Sequence, residues 1–236
     1  MADLNENYCK GGRAFGIPAD SSKAENVKMV VEKTVEEFGA LDILINNAGV
    51  SGPTALVVET REGRPEYTPE DFSKVLATNL TGTFMFCQEA ARQMIKQNAT
   101  NGKKGGRIII TASVGGFIGG KGVVGYGASK AGCLSLARTL ANNFGRENIT
   151  VNCICPGYVV TPLNEEFFVD KDGNFTDYYK KQSKSTSVRR LGTIEEIAGP
   201  RAGNVLRFLQ LHDRLLHSGR RRSVHPRRII VSTYER

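Results

Sequence analysis

The chain has 236 residues, of which 40% are hydrophobic, and a formal net charge of +8. This length allows one sizeable α/β domain with its own core, and no apolar run approaches the ~20 residues that a membrane-spanning helix needs. Nine Arg against one Asp and one Glu place most of the positive charge in residues 201–236, so the preceding part is nearly neutral and a basic nucleic-acid-binding domain is not indicated.

The cysteine content favours a reducing compartment. The five cysteines are odd in number and lack metal-ligand spacing. Residues 1–7 show neither the basic start nor the apolar run of a signal peptide. We therefore predict a cytoplasmic protein without a metal site.

The first predicted elements are a strand and a helix. Residues 14–20 are predicted to form a short strand that ends at Asp20. Ser22 stands at a capping position, and apolar residues recur at helical spacing from Val27 to Phe38. Gly39 is placed to end this helix in the left-handed conformation.

A second strand and helix occupy residues 41–95. Residues 41–46 form a short apolar run that closes on Asn46, and residues 50–67 form a polar loop. Pro69 at the first helical position predicts a helix whose apolar residues keep a 3.6-residue period up to Ile95.

Two more strands flank a third helix. The apolar run 107–112 precedes Ser113, a glycine-rich loop leads to a helix over residues 126–144, and residues 149–155 form a strand. Alternating strands and helices predict an α/β fold with a Rossmann-like, doubly wound parallel sheet. Because parallel strands end at one edge of the sheet, the residues that follow them are expected to lie together there: Asn46, Ser113 and Pro156.

Tyr126 and Lys130 are four residues apart, which places both side chains on one face of a helix. A phenol titrates near pH ~10, and a nearby ammonium lowers its pKa. The hydroxyl of Ser113 can hold a carbonyl oxygen beside them. These three side chains suit proton transfer to or from a carbonyl or alcohol oxygen while a hydride moves elsewhere.

In their order and spacing, these residues resemble the short-chain dehydrogenase/reductase family over about residues 14–200. The segments that carry the resemblance are Asn46-Asn47-Ala48-Gly49, Asn79, Ser113, Tyr126-x-x-x-Lys130, Pro156-Gly157, Thr161 and Arg190-Leu191-Gly192. Each segment alone is a weak signal, whereas their combined order is specific. The most similar subgroups are 3-oxoacyl-carrier-protein reductases and sugar or polyol dehydrogenases.

The resemblance implies catalytic roles for four side chains. Tyr126 would be the general acid/base, Lys130 would lower its pKa and hold the nicotinamide ribose, and Ser113 would orient the substrate carbonyl. Asn79 would bind a water that links Lys130 to solvent. Its alternative role is that of an interior polar residue that bends its helix.

The resemblance also implies NAD or NADP as the cofactor. The adenosine side of the cofactor is expected against residues that follow the first strands: Asp20, Asn46, Ala48 and Gly49. Its nicotinamide end is expected against Pro156, Gly157 and Thr161, beside Tyr126 and Lys130. Asp20 has an alternative role, which is to initiate the turn after it.

Two features depart from the family. The Thr-Gly-x-x-x-Gly-x-Gly phosphate loop and the first two strands have no counterpart here, so we expect an incomplete sheet in which residues 14–20 lie beside the 41–46 strand or pair weakly. We also predict a truncated domain over residues 1–200 and a divergent basic tail over 201–236. Because the similarity stops abruptly after Pro200, the hypothesis for that tail is a frame shift or a mis-spliced end, and a basic arm for nucleic acid or an anionic membrane is the alternative. Residues 229–231 could still mimic a strand.

The sequence thus predicts an NAD(P)-dependent oxidoreductase that interconverts a secondary alcohol and a ketone, with a small-molecule substrate and neither nucleic acid nor membrane as partner. The substrate loop is expected over residues 161–188. Helices over 69–95 and 126–144 resemble the family's dimer-forming pair, so we expect a homodimer or homotetramer. The alternative is a non-catalytic remnant that binds the cofactor weakly or not at all and only pairs with related subunits.

Overall fold

The computed structural model describes residues 13–55, 57–58, 65–102, 105–119, 123–161, 164–198 and 229–232. Its elements in chain order are α1 (Ala24–Phe38), β1 (Ile43–Asn46), α2 (Pro69–Leu76), a π-helical segment (Ala77–Gly82), α3 (Thr83–Asn101), β2 (Gly106–Thr111), α4 (Val124–Phe144), β3 (Ile149–Ile154), α5 (Glu165–Phe168), α6 (Asp177–Ser185), α7 (Ile194–Ala198) and β4 (Ile229–Ser232). Among these residues, no helix has both the length and the apolar character that a bilayer crossing requires.

The four strands form one parallel sheet in the order β3-β2-β1-β4. Ile43 of β1 lies opposite Arg107 of β2, and Gly106 of β2 lies opposite Ile149 of β3. Since all strands run in one direction, their carboxyl ends lie at the same edge of the sheet. The predicted α/β class and the parallel sheet are confirmed.

The hydrophobic core joins one face of the sheet to α1, α3 and α4. Leu44 pairs with Ile108, Ile108 pairs with Val151, and all three side chains belong to one buried cluster. The helices contribute residues at helical spacing, which is why the apolar periodicity in the sequence predicted them: Val27, Val31, Phe86, Ala90, Met94, Leu134 and Ala137.

Residues 14–20 do not form a strand, so the prediction of a strand there is wrong. The free edge of β1 pairs instead with β4, in register from Ile43 opposite Ile229 to Asn46 opposite Ser232. A strand needs a neighbouring edge for its backbone N–H and C=O groups, and β4 takes the edge that residues 14–20 would need. The strand-forming character of residues 229–231 is confirmed, and the division at residue 200 stays a prediction.

The start of α1 also differs from the prediction, because Ser22 is not its cap. The amide N–H and the hydroxyl of Ser22 both donate to Asp20 Oδ1, at 2.8 and 2.7 Å. The helix begins at Ala24, and Lys23 in the capping position makes no side-chain hydrogen bond to it. The Ser22 hydroxyl is committed to the preceding turn, whereas Gly39 ends the helix in the left-handed conformation as predicted.

The helix predicted over residues 69–95 is interrupted by the π-helical segment. Its start is as predicted, with Pro69 in the first turn and the Thr68 hydroxyl accepting from Asp71 N at 3.0 Å. Further on, Gly82 lies so close to the Ser21 main chain that a Cβ would stand 2.5 Å from the Ser21 carbonyl oxygen. A π-helical turn holds more residues than an α-helical turn, so it changes the face on which later side chains lie.

Gln97 connects α3 to the start of β1. Its side chain accepts from Leu41 N at 3.1 Å and donates to Leu41 O at 2.5 Å. Both backbone groups of a wholly buried residue are therefore satisfied by one amide. This contact could not be predicted from the sequence, because a glutamine in a helix is usually exposed.

Candidate active site

Ser113, Tyr126 and Lys130 meet at the carboxyl edge of the sheet. Ser113 follows β2 by two residues, and Tyr126 lies in the first turn of α4. The Ser113 and Tyr126 side chains lie against the same glycine, since a Cβ at Gly115 would stand 3.4 Å from both Ser113 Oγ and Tyr126 Cε1. Lys130 Nζ lies 5.6 Å from the centroid of the Tyr126 ring. The structure thus brings these three predicted side chains into one site.

The short turn after β2 fits closely against α4. Val114 N donates to Pro156 O at 3.0 Å, which joins the ends of β2 and β3, and Gly115 N donates to Ser113 Oγ at 3.1 Å. A Cβ at Gly116 would lie 2.8 Å from the Lys130 carbonyl carbon. Only a residue without a side chain allows this approach, and the approach holds Ser113 beside Tyr126.

Burial governs the charge state of Tyr126. Removal from water raises the pKa of Tyr126 above its ordinary value of 10.0, and the hydrogen bond to Ser113 offsets part of this effect. The expectation of a lowered pKa is therefore wrong for this structure. The reason is that removal of the phenol from water raises its pKa more than Ser113 lowers it. Tyr126 is a neutral phenol at neutral pH and can act as a proton donor.

Lys130 is 5% exposed, and its ammonium donates to the Thr111 carbonyl oxygen at 2.7 Å. Desolvation lowers the pKa of Lys130, with an opposing contribution from the neighbouring Cys133. An ammonium has three N–H donors. The bond to Thr111 at the end of β2 uses one donor, which leaves two for a hydroxyl-bearing ligand.

Asn79 holds the loop that follows β1. It is 1% exposed, and its side chain accepts from Val50 N at 2.8 Å and donates to Val50 O at 2.9 Å. A third bond runs from Nδ2 to Ser129 Oγ at 3.0 Å. These contacts favour a structural role for the amide, close to the alternative of an interior polar residue. The predicted water-binding role stays a prediction.

The residues predicted on the adenosine side are not all directed toward the edge of the sheet. The Asn46 side chain is buried and donates to Cys87 Sγ at 3.2 Å on α3. The Asp20 carboxylate accepts two hydrogen bonds from Ser22, and these bonds also lower the pKa of Asp20. Asp20 therefore does initiate a turn, which was the alternative role predicted for it. Ala48 is half-buried. Contact of these residues with a cofactor stays a prediction.

Gly49, which was predicted on the adenosine side of the cofactor, lies beside Lys130, and its contact with a cofactor stays a prediction. A Cβ at Gly49 would stand 3.4 Å from Asn79 Oδ1 and 3.6 Å from Lys130 Nζ. The bare glycine therefore leaves space beside the ammonium, which can donate to a sugar diol. Within the described ranges, no group of three or more His, Cys, Asp or Glu residues could hold a metal ion.

On the nicotinamide side, Pro156 and Gly157 follow β3, and Thr161 lies in a turn fixed by Asn164. Asn164 Oδ1 accepts from Thr161 N at 2.8 Å and from its hydroxyl at 3.2 Å, and Asn164 Nδ2 donates to Val159 O at 2.9 Å. Asn164 was not among the residues predicted from the sequence. Its position just before the Glu165–Phe168 helix is the signal that identifies such a turn residue.

The predicted substrate loop contains a small cluster of aromatic side chains, and a backbone hydrogen bond joins the chain before the loop to the chain after it. Phe168 is 2% exposed and contacts Tyr158, Tyr178 and Tyr179. At the base, Gly192 N donates to Tyr158 O at 2.9 Å. The Arg190-Leu191-Gly192 segment thus returns the chain to the end of β3.

An apolar cleft of about 500 Å³ lies on the surface where the π-helical segment and the start of α3 meet α4. Its lining is mostly apolar: Leu80, Thr81, Phe84, Gly132, Ser135, Leu136 and Thr139. A Cβ at Gly132 would lie 2.7 Å from Leu80 Cδ2, so the glycine allows the two helices to approach. Phe84 is 40% exposed at this surface.

Comparisons with known proteins agree on one family. The family described as short chain dehydrogenase matches residues 1–172. A 3-oxoacyl-[acyl-carrier-protein] reductase of Synechocystis sp. is 30% identical over 208 residues, which are 88% of this chain and 72% of that protein. A crystal structure of NAD+-bound xylitol dehydrogenase aligns with a TM-score of 0.71 at 29% identity, covering 98% of this chain and 81% of that one. ElxO with NADP bound aligns with a TM-score of 0.68 at 26% identity, covering 88% and 75%.

Proposed function

Because this chain belongs to the short-chain dehydrogenase family and is an NAD(P)-dependent oxidoreductase, we propose that it interconverts a secondary alcohol and a ketone. The observation that carries the proposal is the shared site of Ser113, Tyr126 and Lys130. A Cβ at Gly115 would stand 3.4 Å from both Ser113 Oγ and Tyr126 Cε1, and Lys130 Nζ lies 5.6 Å from the centroid of the Tyr126 ring on the same helix.

In the proposed reduction, the Ser113 hydroxyl holds the substrate carbonyl oxygen and Tyr126 donates its proton to that oxygen. Burial keeps the proton on Tyr126 at neutral pH, since it raises the pKa of the phenol. The bound cofactor supplies the hydride in this direction and accepts it in the other. Lys130 holds ribose hydroxyls with the N–H groups not used by Thr111, and Gly49 leaves the space for them.

Cofactor binding separates the proposed enzyme from a non-catalytic remnant. Purified protein is titrated with NADH and with NADPH, and the fluorescence of the reduced nicotinamide is followed. Saturable binding of either cofactor supports the enzyme. No binding at millimolar concentration would favour the remnant.

Replacement of Tyr126 by phenylalanine tests the mechanism. The variant keeps the ring and loses the proton donor, so the rate of ketone reduction should fall by about 10²- to 10⁴-fold. Cofactor affinity and the far-UV circular dichroism spectrum should stay unchanged. Full activity of the Tyr126→Phe variant would remove Tyr126 from the mechanism.

We further propose that a second copy of this chain covers the apolar cleft on α3 and α4, which gives a homodimer or homotetramer. Replacing the half-exposed Phe84 by aspartate should convert the assembly to monomers in light scattering, because a charge cannot be buried there without a partner. Val57→Asp, at an exposed apolar residue outside the cleft, is the control. An unchanged mass for Phe84→Asp would exclude this interface. The cytoplasmic location stays a prediction.

A further inference from the structure

The first turn of α4, which carries Tyr126, has few local features that stabilise a helix. Val123 in the capping position makes no side-chain hydrogen bond to the turn. Gly125 and Gly127 flank Tyr126, and glycine is the least favourable helix residue after proline. A first turn of this composition needs contacts with residues beyond that turn if it is to hold a side chain in a fixed position.

Ser129, three residues after Tyr126 in the same helix, makes such a contact. Its side chain is 0% exposed, and its hydroxyl donates to the main-chain carbonyl oxygen of Tyr126 at 2.7 Å. The same hydroxyl accepts from Asn79 Nδ2 at 3.0 Å. The hydroxyl therefore uses its single donor on the chain at Tyr126 and fixes its own rotation by the bond from Asn79.

Asn79 extends this connection to the loop after β1. Its side chain is bonded to both the N–H and the C=O of Val50. The neighbouring Gly49 is the residue whose missing Cβ leaves space beside Lys130. Three segments that are distant in sequence are thus joined by one amide and one hydroxyl, neither of which belongs to the proposed reacting groups.

We propose that Ser129 is a positioning residue for Tyr126, which ties the main chain of Tyr126 to Asn79 and so to the loop that contains Gly49. The inference rests on the proposed function. Loss of the hydroxyl leaves Tyr126 its ring, its neighbour Ser113 and its helix, but removes the bond that fixes the first turn of α4. Small misplacements of a reacting group reduce turnover by up to about 10²-fold.

Ser129→Ala is the test variant. We expect kcat for ketone reduction to fall about tenfold, while the Kd for NADH or NADPH stays within about twofold, because the hydroxyl touches neither substrate nor cofactor. Thr100→Ala is the matched control, since it removes a helix hydroxyl bonded to a main-chain carbonyl (Lys96 O at 3.1 Å) at an exposed position. It should leave both quantities unchanged.

A second readout does not depend on turnover. Protein labelled with ¹³Cζ-tyrosine gives a Tyr126 resonance that the Tyr126→Phe variant assigns. In Ser129→Ala, this resonance should shift and titrate closer to an ordinary phenol, because a looser first turn admits water. Unchanged kcat together with an unchanged Tyr126 resonance would overturn the proposal. Absence of turnover in the parent chain would refute the proposed function alone, since the resonance still tests Ser129.

Ser129→Cys covers the case in which the alanine variant does not fold. Its side chain is close to serine in size, but a thiol is a weak hydrogen-bond donor. The same direction of change in kcat and in the Tyr126 resonance is expected. Parent-like values in a folded Ser129→Cys variant, judged by circular dichroism, would contradict a positioning role.

Discussion

Replacing Gly49 by alanine tests whether the loop after β1 lies against the cofactor. The new Cβ would stand 3.4 Å from Asn79 Oδ1 and 3.6 Å from Lys130 Nζ, which are ordinary contacts. The free energy of unfolding should therefore change by less than about 0.5 kcal/mol. The methyl group would nevertheless occupy the space beside the ammonium. Loss of one hydrogen bond between Lys130 and a ribose hydroxyl costs about 1.5–3 kcal/mol, which is a roughly ten- to hundredfold increase in Kd.

Gly116→Ala is the matched control, because its Cβ meets main chain. The added atom would lie 2.8 Å from the Lys130 carbonyl carbon and 2.9 Å from Ala131 N, which cannot move without distorting α4. This variant should lose about 1–3 kcal/mol of stability. Urea denaturation and fluorescence titration with NADH and NADPH measure the two effects. If Gly49→Ala binds the cofactor as tightly as the parent chain does, this placement of the cofactor is refuted. If Gly49→Ala loses as much free energy of unfolding as Gly116→Ala does, the prediction that the structure tolerates a Cβ at Gly49 is refuted.

Two buried amides and the Tyr126 phenol support three more predictions. Asn79→Ala leaves both backbone groups of Val50 without their side-chain partner. It should therefore lower the free energy of unfolding, measured by urea denaturation, by about 2–4 kcal/mol. A change below about 0.5 kcal/mol would contradict this stabilising role of Asn79. Gln97→Met keeps the volume but removes both bonds to Leu41, so it should cost about 2–3 kcal/mol with no change in cofactor Kd. Burial raises the pKa of Tyr126, and only the phenolate can take a proton from an alcohol. The initial rate of alcohol oxidation should therefore increase from about pH 7 to about pH 10, while the rate of ketone reduction stays level. An oxidation rate independent of pH would argue against Tyr126 as the base.

Several boundaries that depend on local pattern were predicted from the sequence to within two residues, whereas α3 continues to Asn101, six residues beyond its predicted end at Ile95. The apolar runs at 41–46, 107–112 and 149–155 became β1, β2 and β3. Thr68 with Pro69 marked the start of α2, because capping and proline preference act within one helical turn. These signals need no knowledge of the rest of the chain.

Elements that depend on distant partners could not be predicted in this way. Residues 14–20 have a strand-like composition but no strand edge beside them, since Ile229–Ser232 occupies the edge of β1. The π-helical segment ends at Gly82, which lies against the Ser21 main chain although the two residues are 61 positions apart in the chain. A 3.6-residue apolar period contains no information about such a contact.

The sequence by itself determined which side chains of the candidate site share a face, because the spacing of Tyr126 and Lys130 sets their directions on any helix. Only the tertiary structure decided what those side chains meet: the Thr111 carbonyl for the ammonium, the Ser113 side chain beside Tyr126, and the bond of Ser129 to the chain at Tyr126. The physical reason is that direction follows from local backbone geometry. Burial and hydrogen-bond partners, which set the pKa of the phenol, depend on how the strands and helices pack together.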